Sequence, residues 1–238
     1  VLAGAGWRLR WLTRTGAGAA VVVGGCVFWG GGVRAGALLF LFVVSSSLLS
    51  SRSHDHAGFA RDARQVVANG GWAAAGALVL PHQASTGWAL LVGALATAQA
   101  DTWASEIGSH AIHPPRLITT GAVVPRGTSG AVSLPGTAGG ALGALVMAGL
   151  VLALGLGRRI ATAGLAAGVL GMVGDSLLGA TVQARYRCRR CDAPAEGAVH
   201  CGELAMRAGG FAWLDNDGVN LAATSAGALA AVALSRCC

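Results

Sequence analysis

Apolar residues run in long blocks along this chain, and polar residues collect in the short gaps between them. Seven blocks approach the length a helix needs to cross a bilayer, about 20 residues with a range of roughly 17–25. They lie near 17–33, 35–51, 66–81, 86–105, 131–156, 160–183 and 218–235. The pattern predicts an all-α fold. It is a polytopic transmembrane helical bundle of about seven spans, forming one membrane domain over 1–238. The block at 17–33 reads as a retained span rather than a cleaved leader, because a second block follows almost at once without a small-residue cleavage pattern between them. Little more than Arg34 divides the two. The third block is the weakest, opening on Gln65-Val66-Val67-Ala68-Asn69-Gly70-Gly71 before turning Ala-rich. It predicts a broken, tilted or re-entrant helix, which survives at membrane depth only where protein or a wet cavity surrounds it.

Composition agrees with this picture. Of the 238 residues, 54% are hydrophobic and 11% charged, and the mean hydropathy is +0.61. A soluble domain carries about a quarter charged residues. The 38 glycines predict close helix packing, since small residues let helix backbones approach one another in lipid.

The net charge is +7, and all 17 basic residues are arginine. The absence of lysine excludes several chemistries. A P-loop needs a lysine on the β/γ-phosphates, a protein-kinase fold needs its strand lysine, and Schiff-base catalysis needs a lysine amine. Nucleic acid is not an expected partner, because the arginines scatter among loops and membrane orientation accounts for them. With a cytoplasmic N-terminus, thirteen of the seventeen, Arg52 among them, fall on the cytoplasmic side. Arg34, Arg158, Arg159 and Arg236 fall on the other. A bacterial inner membrane or, in a eukaryote, a plastid envelope fits this pattern.

The remaining polar residues gather at the same predicted face. Asp101-Thr102-Trp103-Ala104-Ser105-Glu106 closes the fourth span. At about 100° per residue, Asp101, Thr102, Ser105 and Glu106 fit one helix face about 140° wide. Carboxylates beside or inside a span face protein or a wet cavity by default; a solvated helix end is the alternative for Glu106. Asp175-Ser176 sits in the sixth span with Gln183 following at helical spacing, and a structural hydrogen-bonded Asp is the alternative there. Ahead of the third span, Arg61-Asp62-Ala63-Arg64-Gln65 precedes Asn69. Arg61 and Arg64, three apart, are expected to share a helix face and suit phosphate recognition; positive-inside charge is the plain alternative. The loop after the fourth span holds Arg116, Arg126, Gly127-Thr128-Ser129-Gly130, Ser133 and Gly136-Thr137. Backbone N–H groups at such a helix start hold anions, though a plain connector looks the same. The last span opens on Asp215-Asn216-Asp217-Gly218-Val219-Asn220. Asp215 or Asn216 serves as helix cap, and Asp217 and Asn220 then fall beside the cavity.

One site opening to the cytoplasm is therefore expected. Its carboxylates suit Mg²⁺, which takes one or two carboxylates plus substrate phosphates, and the bundle behind it suits a lipid tail. A separate segment, the Cys-containing loop at 184–216, holds Cys188-x2-Cys191-x8-His200-Cys201. That spacing resembles a small Zn²⁺ site. Adjacent His and Cys ligands are awkward, so reduced structural thiols or a disulfide stand as alternatives.

Taken together these motifs resemble an integral-membrane family that includes phytyl-phosphate kinase and related prenyl-phosphate kinases. The resemblance rests on Asp101 to Gly108, Arg116 to Thr120, Gly127 to Gly130, Asp175 to Gln183 and Asn216 to Asn220, with Arg61 to Gly70 and the Cys188–Cys201 segment in support. It implies a membrane lipid kinase that converts an isoprenyl (phytyl or polyprenyl) monophosphate to the diphosphate. The donor would be a nucleoside triphosphate, CTP or ATP, used with Mg²⁺. By physical inference at those positions, Asp101, Glu106, Asp175 and Asp217 are the candidate catalytic and Mg²⁺-binding carboxylates. Arg61, Arg64, Arg116, Arg126, Thr128 and Ser129 would bind phosphates. Gln65, Asn69, Thr102, Ser105, Ser176, Gln183, Asn216 and Asn220 would orient them. A transporter or flippase of an anionic lipid or small anion is the rival reading, although no internal repeat supports it. A non-catalytic assembly subunit leaves the polar residues at the span ends without a purpose.

Overall fold

The computed structural model describes residues 2–51, 60–195 and 197–237; Val1, Arg52, Glu196 and Cys238 lie outside them. Among the described residues seven helices carry the fold: α1 (Leu2–Arg8), α2 (Arg14–Ser50), α3 (Ala63–Val79), α4 (Ala84–Ser109), α5 (Leu134–Ala153), α6 (Arg158–Thr181) and α7 (Asn216–Cys237).

The 37-residue α2 is two helices in one. Gly32 breaks it with φ 59° and ψ −151°, a backbone region that costs other residues a clash between Cβ and backbone. The chain folds back there. A Cβ placed on Gly24 would lie 4.0 Å from the Leu39 side chain, whereas fifteen residues of straight helix span about 22 Å. The blocks at 17–33 and 35–51 are therefore antiparallel neighbours. The chain traverses the bundle seven times, α2 twice and α3 to α7 once each. The third helix, expected to be broken, tilted or re-entrant, is continuous from Ala63 to Val79.

By length and composition, α2, α5, α6 and α7 are apolar enough to cross a membrane. The less apolar α4 is enclosed instead: every residue from Ala89 to Ala100 is buried. It packs against α2, α3, α5, α6 and α7. A helix buried on all faces meets protein rather than lipid, so its polar residues need protein partners or a cavity. Glycines let the neighbours close on it. A Cβ at Gly140 of α5 would lie 2.7 Å from the Ala100 carbonyl oxygen. Large apolar side chains such as Val21, Trp29, Phe40, Leu145, Leu170 and Leu229 are exposed on the bundle exterior, as a lipid-facing surface requires.

Short strands join the helices at one end of the bundle. β1 (Arg116–Leu117) pairs antiparallel with β2 (Ala131–Val132), so α5 begins after 131–132. Between α6 and α7, the predicted loop contains β3 (Arg185–Arg187), β4 (Pro194–Ala195), β5 (Val199–His200), β6 (Glu203–Leu204) and β7 (Met206–Gly209). These form a three-stranded sheet, β4-β3-β7, and a separate β5–β6 hairpin.

Candidate active site

A cavity of about 350 Å³ opens at that end. Its walls come from α4 (Asp101, Ser105, Ser109), the loop before α5 (Arg126 to Ser133), the first turn of α5 (Gly136, Thr137) and α6 (Asp175, Ser176), with Gln183 and Asn216 completing it. Asp101 and Asp175 sit eight and six residues before the ends of α4 and α6, so the cavity reaches on the order of 10 Å below the helix ends. Both carboxylates are half-buried, and Gln183 is buried.

The loop facing these acids is held by its own chemistry. Gly130 has φ +74°, and a Cβ on it would lie 2.3 Å from the backbone nitrogen of Ala180. Only glycine lets this loop rest on the end of α6 in that conformation. Ser133 caps α5 by accepting a hydrogen bond from the Gly136 N–H at 3.2 Å. The Thr128 hydroxyl donates to the Pro125 carbonyl at 2.7 Å, which fixes the turn. Arg126 lines the cavity, but its guanidinium donates to the carbonyls of Ala111 and Ile112. Ser129 lines the cavity as well.

Other expected site residues lie elsewhere. Thr102 donates back to the Ala98 carbonyl at 2.8 Å, within its own helix. Glu106, outside the cavity lining, is the carboxylate that acts on Arg61. Burial lowers the Arg61 pKa from its usual value, and Glu106 pulls it back up. Arg61 donates to Ser47 Oγ at 2.7 Å. The expectation that Arg61 and Arg64 share a helix face fails. Asp62 is the N-cap of α3, its side chain accepting from the Gln65 N–H at 3.0 Å. Arg61 precedes that cap in extended backbone bridged to Leu12.

Arg64 points the other way. It pairs with Asp215 at 2.7 Å and approaches Asp217 at 3.9 Å. Asp215 also accepts from the Gly218 N–H at 3.0 Å, capping α7. Arg64 and Asp217 line a separate groove of about 380 Å³ between α3 and α7 with Val67, Ala68 and Leu221. Asn69 and Asn220 are buried in those same two helices, where Thr224 donates to the Ala68 carbonyl at 2.8 Å. Arg116 is exposed and donates to the Gly121 carbonyl at 2.8 Å. The structure therefore brings together Asp101, Ser105, Arg126, Thr128, Ser129, Asp175, Ser176, Gln183 and Asn216. It leaves out Glu106, Asp217, Arg61, Arg64, Arg116, Gln65, Asn69, Thr102 and Asn220.

Ser109 was missed as a lining residue; its sequence context resembles any polar helix end. Gln99, one turn deeper than Trp103 on α4, was missed too. It is fully buried, and its amide nitrogen donates to the Gly143 carbonyl at 2.7 Å. A lone Gln in an apolar run was the only signal.

The cysteine segment is compact. Cys191 Sγ lies 3.8 Å from Cys201 Sγ, and His200 Nδ1 lies 3.5 Å from the first and 3.3 Å from the second. The described cysteines are free thiols. The Cys188 thiol is lowered to about 6, chiefly by the hydrogen bond from the Cys191 backbone. The Cys201 thiol is raised to about 11, chiefly by its hydrogen bond with Cys191.

Comparison with known proteins fits the membrane architecture. The family described as integral membrane protein DUF92 matches residues 1–228. The chain is 44% identical over 96 residues to the uncharacterized membrane protein MJ0933 of Methanocaldococcus jannaschii, covering 39% of this chain and 40% of that protein. It is 32% identical to Protein PGR of Arabidopsis thaliana over 79% of this chain and 77% of the relative. It is also 31% identical to the chloroplastic Protein VTE6 of Arabidopsis thaliana, over 61% of this chain and 37% of that one. The similarity thus spans less than half the length of two of these three relatives. No solved structure matches the chain.

Proposed function

The chain belongs to the DUF92 family of integral membrane proteins, and from that premise we propose that it is a membrane lipid kinase. It transfers the γ-phosphoryl group of a nucleoside triphosphate to an isoprenyl monophosphate. The observation that carries this reading is the pairing of Asp101 and Asp175, from two helices, across one cavity from the glycine- and hydroxyl-rich loop at 127–130. The relation to VTE6 and the motif resemblance to prenyl-phosphate kinases support it.

In this reading a lipid phosphate oxygen forms the new bond to the γ-phosphorus, and the bond from that phosphorus to the β–γ bridging oxygen breaks. The lipid diphosphate and a nucleoside diphosphate are released. The nucleophile is already an anion, so catalysis is positioning and charge stabilisation. Two carboxylates in one wet cavity fit Mg²⁺, which would draw its other ligands from phosphate oxygens and water and would neutralise charge on the transferred group. Asp101 and Asp175 are the residues placed to hold it. Ser105, Ser129, Ser176 and the loop N–H groups would take phosphate oxygens. Gln183 and Asn216 would orient them. At about 350 Å³ the cavity suits the phosphate groups, and the prenyl tail would lie along the apolar exterior.

The arginine-rich end would face the cytoplasm or its equivalent, where nucleotide is available. A transporter or flippase would place its site near the midplane, and this cavity lies nearer one end. The test is transfer from γ-³²P-labelled CTP or ATP to phytyl or geranylgeranyl monophosphate by purified protein with Mg²⁺. Label is expected in a lipid diphosphate. Folded protein that labels none of these lipids from either nucleotide would overturn the reading.

A further inference from the structure

The segment between α6 and α7 carries a constellation that phosphoryl transfer does not use. The ligand atoms of Cys188, Cys191, His200 and Cys201 all lie within 4.8 Å of one another. A tetrahedral zinc with Zn–S of about 2.3 Å and Zn–N of about 2.0–2.1 Å has edges of about 3.8 Å between sulfurs and about 3.6 Å between sulfur and nitrogen. The Cys191–Cys201 separation is 3.8 Å, and the two sulfur–nitrogen separations are 3.5 and 3.3 Å.

Two turns aim these side chains at one point. Cys188 follows β3 directly, and the chain reverses through Cys191 and Asp192 into β4, with the Cys188 N–H donating to Ala193 O at 2.9 Å. Inside that turn the Arg190 N–H points at Cys188 Sγ at 3.4 Å, a contact that steadies a thiolate ligand. On the other side His200 pairs with Glu203, which leaves Cys201 and Gly202 as the two-residue hairpin turn. Both have positive φ, 52° and 77°, as a type I′ turn requires. A cysteine in this conformation is uncommon and costly. Here it is what lets adjacent residues, His200 and Cys201, face the same centre.

We propose that Cys188, Cys191, Cys201 and His200 bind one Zn²⁺ in a closed structural site that clasps the β3–β4 turn to the β5–β6 hairpin. Three thiolates and one imidazole fill a tetrahedron and leave no open position, the arrangement of a structural rather than a catalytic zinc. Binding releases the thiol protons, and the resulting net negative centre lies beside Arg189 and Arg190 of the same turn. The strands concerned are two to four residues long, too short to order themselves. The clasp would also brace the candidate active site from behind. Val182 O accepts from the Phe211 N–H at 2.9 Å and Leu214 O from the Ala184 N–H at 2.8 Å, and the cavity residues Gln183 and Asn216 flank these bonds.

The test is elemental analysis of the full chain, purified from zinc-supplemented cells through a histidine-free tag and without chelator. About one zinc per chain is expected for a closed site. Cys191→Ser and His200→Ala should each lose it, while Cys26→Ser and Cys237→Ser should keep it. Replacement with Co²⁺ should give the intense visible bands and thiolate charge transfer of a tetrahedral centre. Should the ligand variants fail to accumulate, the wild-type stoichiometry and cobalt spectrum decide alone. Zinc-free, monodisperse wild-type protein whose three thiols react at once with a thiol reagent would overturn the proposal, as would a Cys191–Cys201 disulfide. Neither readout depends on transfer activity, so failure here leaves the kinase reading standing.

Discussion

Two regions at the same end of the bundle use the same residue types to opposite effect. Around the cavity, Asp101 and Asp175 come from α4 and α6 and line one space with the hydroxyl residues Ser105, Thr128, Ser129 and Ser176. At the α3–α7 corner, Asp215 and Asp217 meet Arg64 directly. The corner spends its charge on itself and on capping α7. The difference teaches that an acid near a span end is not a site by type alone; what matters is whether it lines a cavity.

The largest expected effect tests the cavity half of that contrast. Asp175→Asn should lower phosphoryl transfer by about 10²- to 10³-fold, as weakening the electrostatic stabilisation of the transferred group does. The protein should still insert and elute as the wild type. Near-normal turnover in the labelled-nucleotide assay would remove Asp175 from the chemistry and erase the distinction between the regions.

Gly130→Val tests whether the loop must rest where it does. Its φ of +74° and the backbone of Ala180, against which a Cβ would collide, leave no room for a side chain. The backbone conformation alone should cost roughly 1–3 kcal/mol, read as a lower melting temperature. A displaced loop should reduce turnover by about a hundredfold. An unchanged melting curve would mean the loop does not lean on α6.

Arg64→Ala tests the corner. The pair with Asp215 is exposed, and such pairs contribute little. Transfer should stay within about threefold of wild type, because the ion pair answers charges that no substrate needs. A loss as deep as that of Asp175→Asn would make the corner part of the phosphate site.

Gln99→Met should change least. The Gln99 carbonyl oxygen is buried without a hydrogen-bond partner among the described residues, so removing the whole amide exchanges one hydrogen bond for relief of an unmet one. A stability change within about 1 kcal/mol is expected by thermal denaturation. A large loss would show that the amide organises α4 for the acid two residues further on.

Much of the fold was legible one residue at a time. The block lengths marked seven passes, and the observed helices start or stop within a few residues of the expected bounds. The lower hydropathy of α4 had its explanation only in packing. Helix α4 runs through the middle of the bundle, where neighbours rather than lipid surround it. In the candidate site, Asp101, Ser105 and Asp175 were legible because acids and hydroxyls inside apolar blocks stand out. Ser109 was not, because a serine at a helix end does nothing unusual locally. Arg61 was misplaced because Asp62 caps α3, so the helix begins only at Ala63 and Arg61 lies outside it.

The sequence by itself determined the number of passes, the end that carries the arginines, and the residues with chemistry worth placing. Apolar length and charge act locally, and the bilayer reads them in one dimension. Only the tertiary structure decided which acids share a cavity, which are answered by Arg64, and that the side chains of Cys188, Cys191, His200 and Cys201 converge from two turns. Such convergence depends on how helices rotate and how closely their backbones approach. Contacts between residues far apart in the chain set both, such as Gly140 against Ala100 and Gly130 against Ala180.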